Sequence, residues 1–308
     1  MQMSELDDGE LPAGSPDHVG LVGLGLMGGA MATRLRGGGH TVLGFDTAAE
    51  SMQAAVCAGV IAASGAGEIA RRCRRVLLSL PDSAAVETVV ETMTGSPRPG
   101  QIIVDTTTGD PNVCARLGAR LSALGIEYLD ATVSGNSDQV RSGETIIMAG
   151  GTAAGFAACE DLLRLFASRV MHVGPCGNGA RLKLITNLVL GLNRVALAEG
   201  LVFARALGVE PAQALEVLRA SMAGSRIMDS KGPKMVRGDF TPQARLAQHL
   251  KDVRLMLAQA DSAGLPMPLS RAHERLLDSA VGAGLGDLDN AAVIQMLGPA
   301  PTLPAPGH

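Results

Sequence analysis

Aromatic residues are scarce in this 308-residue chain, which has no tryptophan, one tyrosine and five phenylalanines. Its hydrophobic content is nevertheless 46%, so leucine, valine, isoleucine, alanine and methionine must build the core. The net charge is −4, and the sequence shows neither a basic stripe nor a platform of aromatic residues. We therefore expect no nucleic-acid partner.

Metal-binding and disulfide patterns are absent as well. The five cysteines are an odd number without CxxC or Cys/His spacing, which predicts reduced thiols in a cytoplasmic protein and no metal site. No apolar run approaches the roughly 18 to 20 residues of a membrane helix. The first 17 residues are acidic and lack the regions of a signal peptide. We expect no membrane association, and we expect disordered tails at residues 1–17 and 299–308.

From residue 18 to residue 178, strand and helix patterns alternate. This alternation predicts a doubly wound Rossmann sheet that binds a dinucleotide. After residue 178 the strand pattern stops, so residues 179–298 are predicted to form an all-helical domain for substrate binding and dimerisation, reached through a long helix over 180–207. The predicted strands are Val19–Val22, Val42–Phe45, Val76–Leu80, Ile102–Val104, Tyr128–Leu129, Thr145–Met148 and Val170–Val173.

A glycine-rich turn follows the first predicted strand. Its pattern is Gly23-x-Gly25-x-x-Gly28, in which the first glycine permits a tight turn, the second admits a pyrophosphate and the third lets the helix pack closely. The second strand ends in Asp46, 23 positions after Gly23 and near the roughly 20 expected for a ribose-binding acid. This context favours a dinucleotide site over a structural turn.

Three further segments carry polar residues typical of active sites. The Ser134-Gly135 turn could hold a carboxylate with backbone N–H groups, or it could be a plain turn. Lys183 and Asn187 lie four residues apart on one helix face, at the predicted domain junction where ligand pockets often form. A lone lysine there could instead be a surface residue. The His249–Asp252 segment could likewise be a solvated charged face.

Together these segments resemble the β-hydroxyacid dehydrogenase family, which includes 3-hydroxyisobutyrate dehydrogenase, tartronate semialdehyde reductase and, more distantly, 6-phosphogluconate dehydrogenase. The resemblance runs from about His18 to Leu297. Its motifs are the GLGLMG turn, Leu80-Pro81, Asp105-Thr-Thr-Thr108, Asp130-Ala-x-Val-Ser134-Gly135, the GxGxxxK segment ending at Lys183, Asn187, and the segment from Phe240 to Lys251-Asp252.

The resemblance implies a role for each matching residue. Lys183 matches the general acid/base and Asn187 the residue that places the substrate hydroxyl. Ser134 and Gly135 match the turn that binds the substrate carboxylate, and Lys251 lies beside substrate and cofactor. Asn136 adjoins this turn and is a further candidate for substrate binding. The remaining cofactor positions are Gly23, Leu24, Gly25, Met27, Gly28, Asp46, Leu80, Pro81 and Thr108.

The expected activity is an NAD-dependent interconversion of a small 3-hydroxy acid and its semialdehyde or keto form, without a metal. A lysine ammonium can protonate the oxygen formed in reduction, whereas oxidation needs a neutral lysine. Asp46 would bind ribose hydroxyls and repel a 2′-phosphate, which favours NAD over NADP. Alternatives are an NADPH-dependent aldehyde or imine reductase and a catalytically silent dinucleotide-binding module. The family resemblance also implies a homodimer or homotetramer.

The sequence departs from the family pattern at two positions of the substrate turn. Thr132 stands where relatives usually have proline, and Asn136 stands where they have glycine. Asn136 could bring an amide to the substrate, or it could be a turn residue that tolerates the left-handed conformation. Arg226 could pair with a second acidic group of the substrate, or it could be a surface residue.

Overall fold

A computed structural model of the protein describes residues 18–95 and 98–297. The predicted tails, 1–17 and 299–308, lie outside the described residues. Within the described residues the chain forms two compact units that divide between Lys183 and Leu184, which we call the sheet unit and the helical unit. The predicted boundary at residue 178 falls five residues earlier.

The sheet unit contains a single sheet of eight strands in the order β3-β2-β1-β4-β5-β6-β7-β8. Neighbouring strands are parallel except for β6 and β7, which are antiparallel. This architecture confirms the predicted doubly wound Rossmann fold. The strands are β1 (His18–Val22), β2 (Thr41–Phe45), β3 (Ile61–Ala62), β4 (Arg75–Leu78), β5 (Ile102–Asp105), β6 (Glu127–Ser134), β7 (Thr145–Gly150) and β8 (Ala167–His172).

Helices connect these strands and cover both faces of the sheet. Because successive strand residues point to opposite faces, Val19 and Leu21 of β1 join one buried apolar cluster and Val22 joins another. Burial of both faces explains why these strands are nearly continuous apolar runs. The helices are α1 (Leu26–Gly37), α2 (Ala49–Cys57), α3 (Ala66–Arg72), α4 (Ser83–Thr94), α5 (Pro111–Ser122), α6 (Ser137–Ser142), α7 (Ala153–Ala157) and α8 (Glu160–Phe166).

The helical unit has its own apolar core, formed mainly by leucine, alanine and methionine side chains. The long helix α9 (Asn178–Ala206) begins in the sheet unit and continues into the helical unit. The described part of the helical unit has no strand, as predicted. Its other elements are α10 (Pro211–Ala220), α11 (Ile227–Arg237), α12 (Leu246–Ser262), α13 (Pro268–Gly282) and a 3-10 helix (Asn290–Met296).

Several elements differ from the sequence predictions. Strand β6 continues to Ser134, whereas the sequence predicted a strand only over Tyr128–Leu129. The segment between β7 and β8 forms two short helices, α7 and α8. Helix α11 was not predicted because it contains Pro233, which disfavours a helix interior. Strand β3 was missed because it has only two residues.

Contrary to the expectation that no apolar run reaches the length of a membrane helix, α9 is long and apolar enough to cross a membrane by length and composition alone, with a mean hydropathy of 1.3 over an 18-residue window. In this structure 39% of that window is buried, and the core helix of a soluble protein meets the same criteria. Its exposed side includes Ile185, Val189, Leu190 and Phe203.

Candidate active site

The glycine turn joins β1 to α1, and its three glycines differ in what a side chain at each position would meet. Gly23 has a φ of +90°, and a Cβ there would overlap the carbonyl oxygen of Ser79. A Cβ on Gly28 would overlap the carbonyl oxygen of Gly23, so α1 packs directly on the turn. A Cβ on Gly25 would meet nothing within 4 Å. The turn therefore leaves open space at the glycine where a pyrophosphate is expected to approach.

The start of α1 also fits an anionic ligand. Gly25 caps this helix without a side-chain hydrogen bond, and the first turn contains no acidic residue. The first N–H groups of an α-helix lack partners within the helix, and its dipole favours negative charge at this end. The residues present therefore fit the pyrophosphate of a dinucleotide. Met27 lies in the first turn of α1 and packs against the apolar cluster below it.

Asp46 lies directly after β2, beside the glycine turn. Its Oδ2 accepts the N–H of Leu24 at 2.6 Å, and its Oδ1 accepts the N–H of Ala48 at 2.8 Å. Both carboxylate oxygens are therefore held in place by backbone donors. These bonds place a carboxylate at the strand end where the ribose of a dinucleotide is expected.

The next two strands, β4 and β5, bring other predicted cofactor residues to the same sheet edge. Leu80 and Pro81 follow β4, and Thr108 follows β5. The N–H of Leu80 donates to the hydroxyl of Thr107 at 3.1 Å, which joins the two loops. Since β4 pairs with β1 and β5 in parallel, all these loops leave the carboxyl edge where ligands of doubly wound sheets bind.

Lys183 lies beside the predicted carboxylate-binding turn, although the two are 50 residues apart. Its Nζ donates to the carbonyl of Val133 at 2.6 Å, and Val133 directly precedes Ser134 and Gly135. The lysine is 8% exposed, so it is not a solvated surface residue. Gly135 has a φ of +155°, and a Cβ there would lie 2.7 Å from Cγ2 of Thr145. The amine of Lys183 thus lies next to the tight turn at Ser134-Gly135.

Asn136 has a structural role that the sequence did not predict. Its Oδ1 accepts the N–H of Gln139 at 3.0 Å, while its own N–H donates to Oε1 of Gln139 at 3.1 Å. These two bonds form the capping box of α6. Of the two alternatives for Asn136, the left-handed turn residue does not hold, because its backbone is extended with a φ of −109°.

In the helical unit, Asn187 contacts an acidic residue that was not among the predicted site residues. Its Nδ2 donates to Oδ2 of Asp252 at 3.1 Å, and both side chains are buried. Nζ of Lys251 lies 3.1 Å from Oδ1 of the same carboxylate. The Lys251-Asp252 pair of the family motif therefore meets Asn187. Arg226, by contrast, is an exposed residue that directly precedes α11.

A buried polar network supports the sheet edge of the site. The hydroxyl of Tyr128 donates to Oδ2 of Asp105 at 2.6 Å, and the N–H of Thr107 donates to Oδ1 at 2.9 Å. Burial raises the pKa of Asp105 to about 6, although these hydrogen bonds act to lower it. Burial also raises the pKa of Asp130. Both acids could have been identified as buried polar residues from the sequence. Asp105 ends the apolar strand β5, and Asp130 interrupts the apolar strand β6.

Two family models together match nearly all of the residues that the structure describes. Residues 18–174 match the family model of the NAD-binding domain of 6-phosphogluconate dehydrogenase. Residues 177–297 match the model described as the NAD-binding domain of NADP-dependent 3-hydroxyisobutyrate dehydrogenase. The chain belongs to the β-hydroxyacid dehydrogenase family. It is therefore an NAD(P)-dependent oxidoreductase, and the predicted family and enzyme class are confirmed.

Individual relatives extend over nearly the whole chain. It is 31% identical to L-threonate dehydrogenase of Cupriavidus necator, over 94% of this chain and 98% of the relative. It is 30% identical to 2-hydroxy-3-oxopropionate reductase of Escherichia coli, over 91% of this chain and 96% of the relative. Among solved structures, 3-hydroxyisobutyrate dehydrogenase from Salmonella typhimurium matches with a TM-score of 0.82 and 29% identity, over 91% of this chain and 99% of that one.

Proposed function

We propose that this family member oxidises a small 3-hydroxy acid with NAD and reduces the matching semialdehyde or keto acid in reverse. The observation that carries the proposal is the 2.6 Å hydrogen bond from Nζ of Lys183 to the carbonyl before Ser134-Gly135. It brings an amine to the turn that is expected to hold a carboxylate. An amine beside a bound hydroxy acid is placed for proton transfer at the hydroxyl oxygen.

Lys183 is proposed as the general acid/base. When bound, the dinucleotide supplies or accepts hydride at the carbon that carries the reacting oxygen. In reduction the Lys183 ammonium stabilises the negative charge that develops on this oxygen and donates a proton to it. In oxidation the neutral amine takes the hydroxyl proton. The short bond to the Val133 carbonyl holds the amine in place for either direction.

Asn187 is proposed to orient the substrate hydroxyl. It lies one helical turn after Lys183 on α9, so both side chains belong to one helix face. Because its Nδ2 donates to Asp252, its carbonyl Oδ1 is the end of the amide available to accept a bond from the substrate hydroxyl. The backbone and hydroxyl of Ser134, with Gly135, are proposed to bind the substrate carboxylate.

We further propose NAD as the preferred cofactor. The proposal is supported by the Asp46 carboxylate, whose two oxygens are fixed by the N–H groups of Leu24 and Ala48 beside the glycine turn. A 2′-phosphate would bring a second negative charge to this site. We expect kcat/KM to be higher with NAD than with NADP, and Asp46→Ala to reduce the difference. An unchanged preference in the variant would show that other residues select the cofactor.

The substrate class is tested by measuring NAD-dependent oxidation of threonate, glycerate, 3-hydroxyisobutyrate, 3-hydroxypropionate and serine. Threonate is included because the relative from Cupriavidus necator is an L-threonate dehydrogenase. Lys183→Ala should lower kcat roughly 100-fold or more on every accepted substrate. NADH binding, followed by fluorescence titration, should be retained because the glycine turn and Asp46 are unchanged.

Lys234 provides a matched control for this substitution. It is 7% exposed, and its Nζ donates to the carbonyl of Thr241 at 2.8 Å, much as Nζ of Lys183 donates to Val133. Lys234→Ala should reduce stability while keeping most of kcat. Near-normal turnover by Lys183→Ala would exclude Lys183 as the acid/base. Tight NADH binding without turnover of any tested acid would favour a binding module.

Two other expectations remain proposals. The homodimer or homotetramer is supported by the exposed apolar side chains of α9, of which Ile185 is 58% exposed and Phe203 is 62% exposed. Light scattering at several concentrations tests it, and a concentration-independent monomer would contradict it. The cytoplasmic location is supported only by the cysteine pattern, and fractionation of cells that express the full chain tests it.

A further inference from the structure

Two alternate residues of β6 hold the first turn of α9. The Asp130 carboxylate accepts the N–H groups of Gly177 and Ala180, each at 2.8 Å. Two residues further along the strand, the Thr132 hydroxyl donates to the carbonyl of Gly179, also at 2.8 Å, while the carbonyl of Met148 lies farther away at 3.4 Å. Residues two apart on a strand point to the same face. The carboxylate and the hydroxyl therefore bind the start of this helix together.

The contact between helix and strand leaves little room for displacement. A Cβ on Gly179 would overlap the carbonyl oxygen of Asp130 and would lie 2.6 Å from that of Met148. Thr132 is completely buried. The backbone of α9 thus lies directly against β6 and β7 at this point, and the Thr132 hydroxyl fixes a specific peptide group of the helix.

The fixed peptide group is directly connected to Lys183. In an α-helix the carbonyl of a residue accepts the N–H of the residue four positions later, which for Gly179 is Lys183. The side chain of Lys183 then returns to β6, where Nζ donates to the carbonyl of Val133 at 2.6 Å. Thr132 and Val133 are neighbours, so the strand contacts both the helical turn before the lysine and the lysine amine.

We infer that Thr132 is a positioning residue whose hydroxyl fixes the first turn of α9 and thereby the position of the Lys183 amine. Proline, which the family resemblance leads us to expect at this position, has no hydroxyl, so the contact is specific to chains with this substitution. The expected effect on catalysis rests on the proposed role of Lys183. The expected effect on the position of the amine does not.

The test compares Thr132→Val, which removes only the hydroxyl and keeps a similar shape, with Thr132→Ser, which keeps the hydroxyl. The first measurement is the rate of Lys183 acetylation by acetic anhydride, followed by peptide mass spectrometry. Thr132→Val should increase this rate roughly three- to tenfold and lower kcat by a similar factor, as expected for loss of one buried hydrogen bond. Thr132→Ser should keep the acetylation rate and kcat of the wild type. Substrate KM and NADH affinity should change little in either variant.

Thr145→Val is the matched control. Thr145 is 1% exposed, and its hydroxyl donates to the carbonyl of Phe166 at 2.7 Å, away from α9. Valine keeps the methyl group of threonine at both positions. Thr145→Val should lower the melting temperature about as much as Thr132→Val, while Lys183 acetylates at the wild-type rate.

The inference is overturned if Thr132→Val leaves the acetylation rate unchanged, or if Thr145→Val changes it equally. Failure of the proposed function gives a different result. In that case Lys183→Ala would keep its turnover, while Thr132→Val would still change the acetylation of Lys183.

Discussion

Asp105 in the sheet unit and Asp289 in the helical unit are both buried carboxylates, yet their partners differ in kind. Asp105 accepts hydrogen bonds from the Tyr128 hydroxyl and the Thr107 N–H, both of them neutral donors. Asp289 accepts backbone N–H groups as well, but both its oxygens also lie 2.8 Å from Nζ of Lys231. Burial of an acid is thus accompanied by a cation in one unit and by neutral donors in the other.

The difference decides the direction of each pKa shift. Burial raises the pKa of Asp105 to about 6, because its neutral donors only partly offset the loss of water. For Asp289 burial also acts to raise the pKa, but the Lys231 ammonium and the backbone donors outweigh it, so the pKa is lowered. Two acids that are both almost completely removed from solvent therefore shift in opposite directions, because Asp289 faces a cation and several backbone donors whereas Asp105 has only neutral donors.

The architecture of each unit explains this contrast. Strand ends and βα loops present backbone N–H and C=O groups without sheet partners, and buried residues such as Asp130 and Thr132 bind them. A helix satisfies its interior backbone groups internally. Polar side chains buried between helices consequently depend more on each other, as Lys231 and Asp289 or Asn187 and Asp252 do.

The largest expected effect in this comparison is that of Asp289→Ala. It would leave the Lys231 ammonium, 5% exposed, without its carboxylate and would remove the acceptor for the N–H of Ala291. Removing one partner of a buried ion pair typically costs about 3 to 5 kcal/mol. Urea unfolding followed by circular dichroism should show this decrease. A loss below about 1 kcal/mol would mean that the pair does not stabilise the helical unit.

Arg194→Met is the matched control in the same unit. Arg194 is 1% exposed, its guanidinium nitrogens have no hydrogen-bond partner within the described ranges, and burial lowers its pKa to about 10. Methionine removes a buried cation while Asp289 keeps Lys231. We expect a change within about 1 kcal/mol or a gain in stability. A loss as large as that of Asp289→Ala would show that Arg194 also neutralises this carboxylate.

A smaller, pH-dependent effect is expected from Asp105→Asn. Because the folded protein holds this proton up to about pH 6 and the unfolded chain releases it near its ordinary pKa of 3.8, stability should fall as pH rises between these values. Asparagine cannot ionise, and its amide can still accept from the Thr107 N–H and donate to the Tyr128 oxygen. The variant should therefore lose this part of the pH dependence.

Melting temperatures between pH 4 and pH 7 test this prediction. Wild type should decline relative to Asp105→Asn as pH rises through the window, and the difference should stay constant above it. Parallel curves for the two proteins would show that Asp105 does not change its protonation there. That result would also remove the contrast with Asp289.

Local patterns predicted the elements whose signal is contained within a few residues. The apolar run before Gly23 predicted β1, and the GxGxxG spacing predicted the turn that follows it. The structure shows that a side chain at Gly23 or Gly28 would overlap a backbone carbonyl. Elements without such a signal were missed. Strand β3 has two residues and exists only through pairing with β2, while α11 is stabilised by packing despite Pro233.

The sequence alone determined the family, the alternation that forms the sheet and the identity of the residues proposed for catalysis, because each depends on residue type and spacing. The tertiary structure decided which of them meet and what else joins them. No spacing rule connects Lys183 to Val133 or Asn187 to Asp252, since these contacts cross 50 and 65 residues and form only when strands and helices pack. The Asn136 cap is local, because it forms with Gln139 three residues later, whereas only packing gave Thr132 its contact with Gly179.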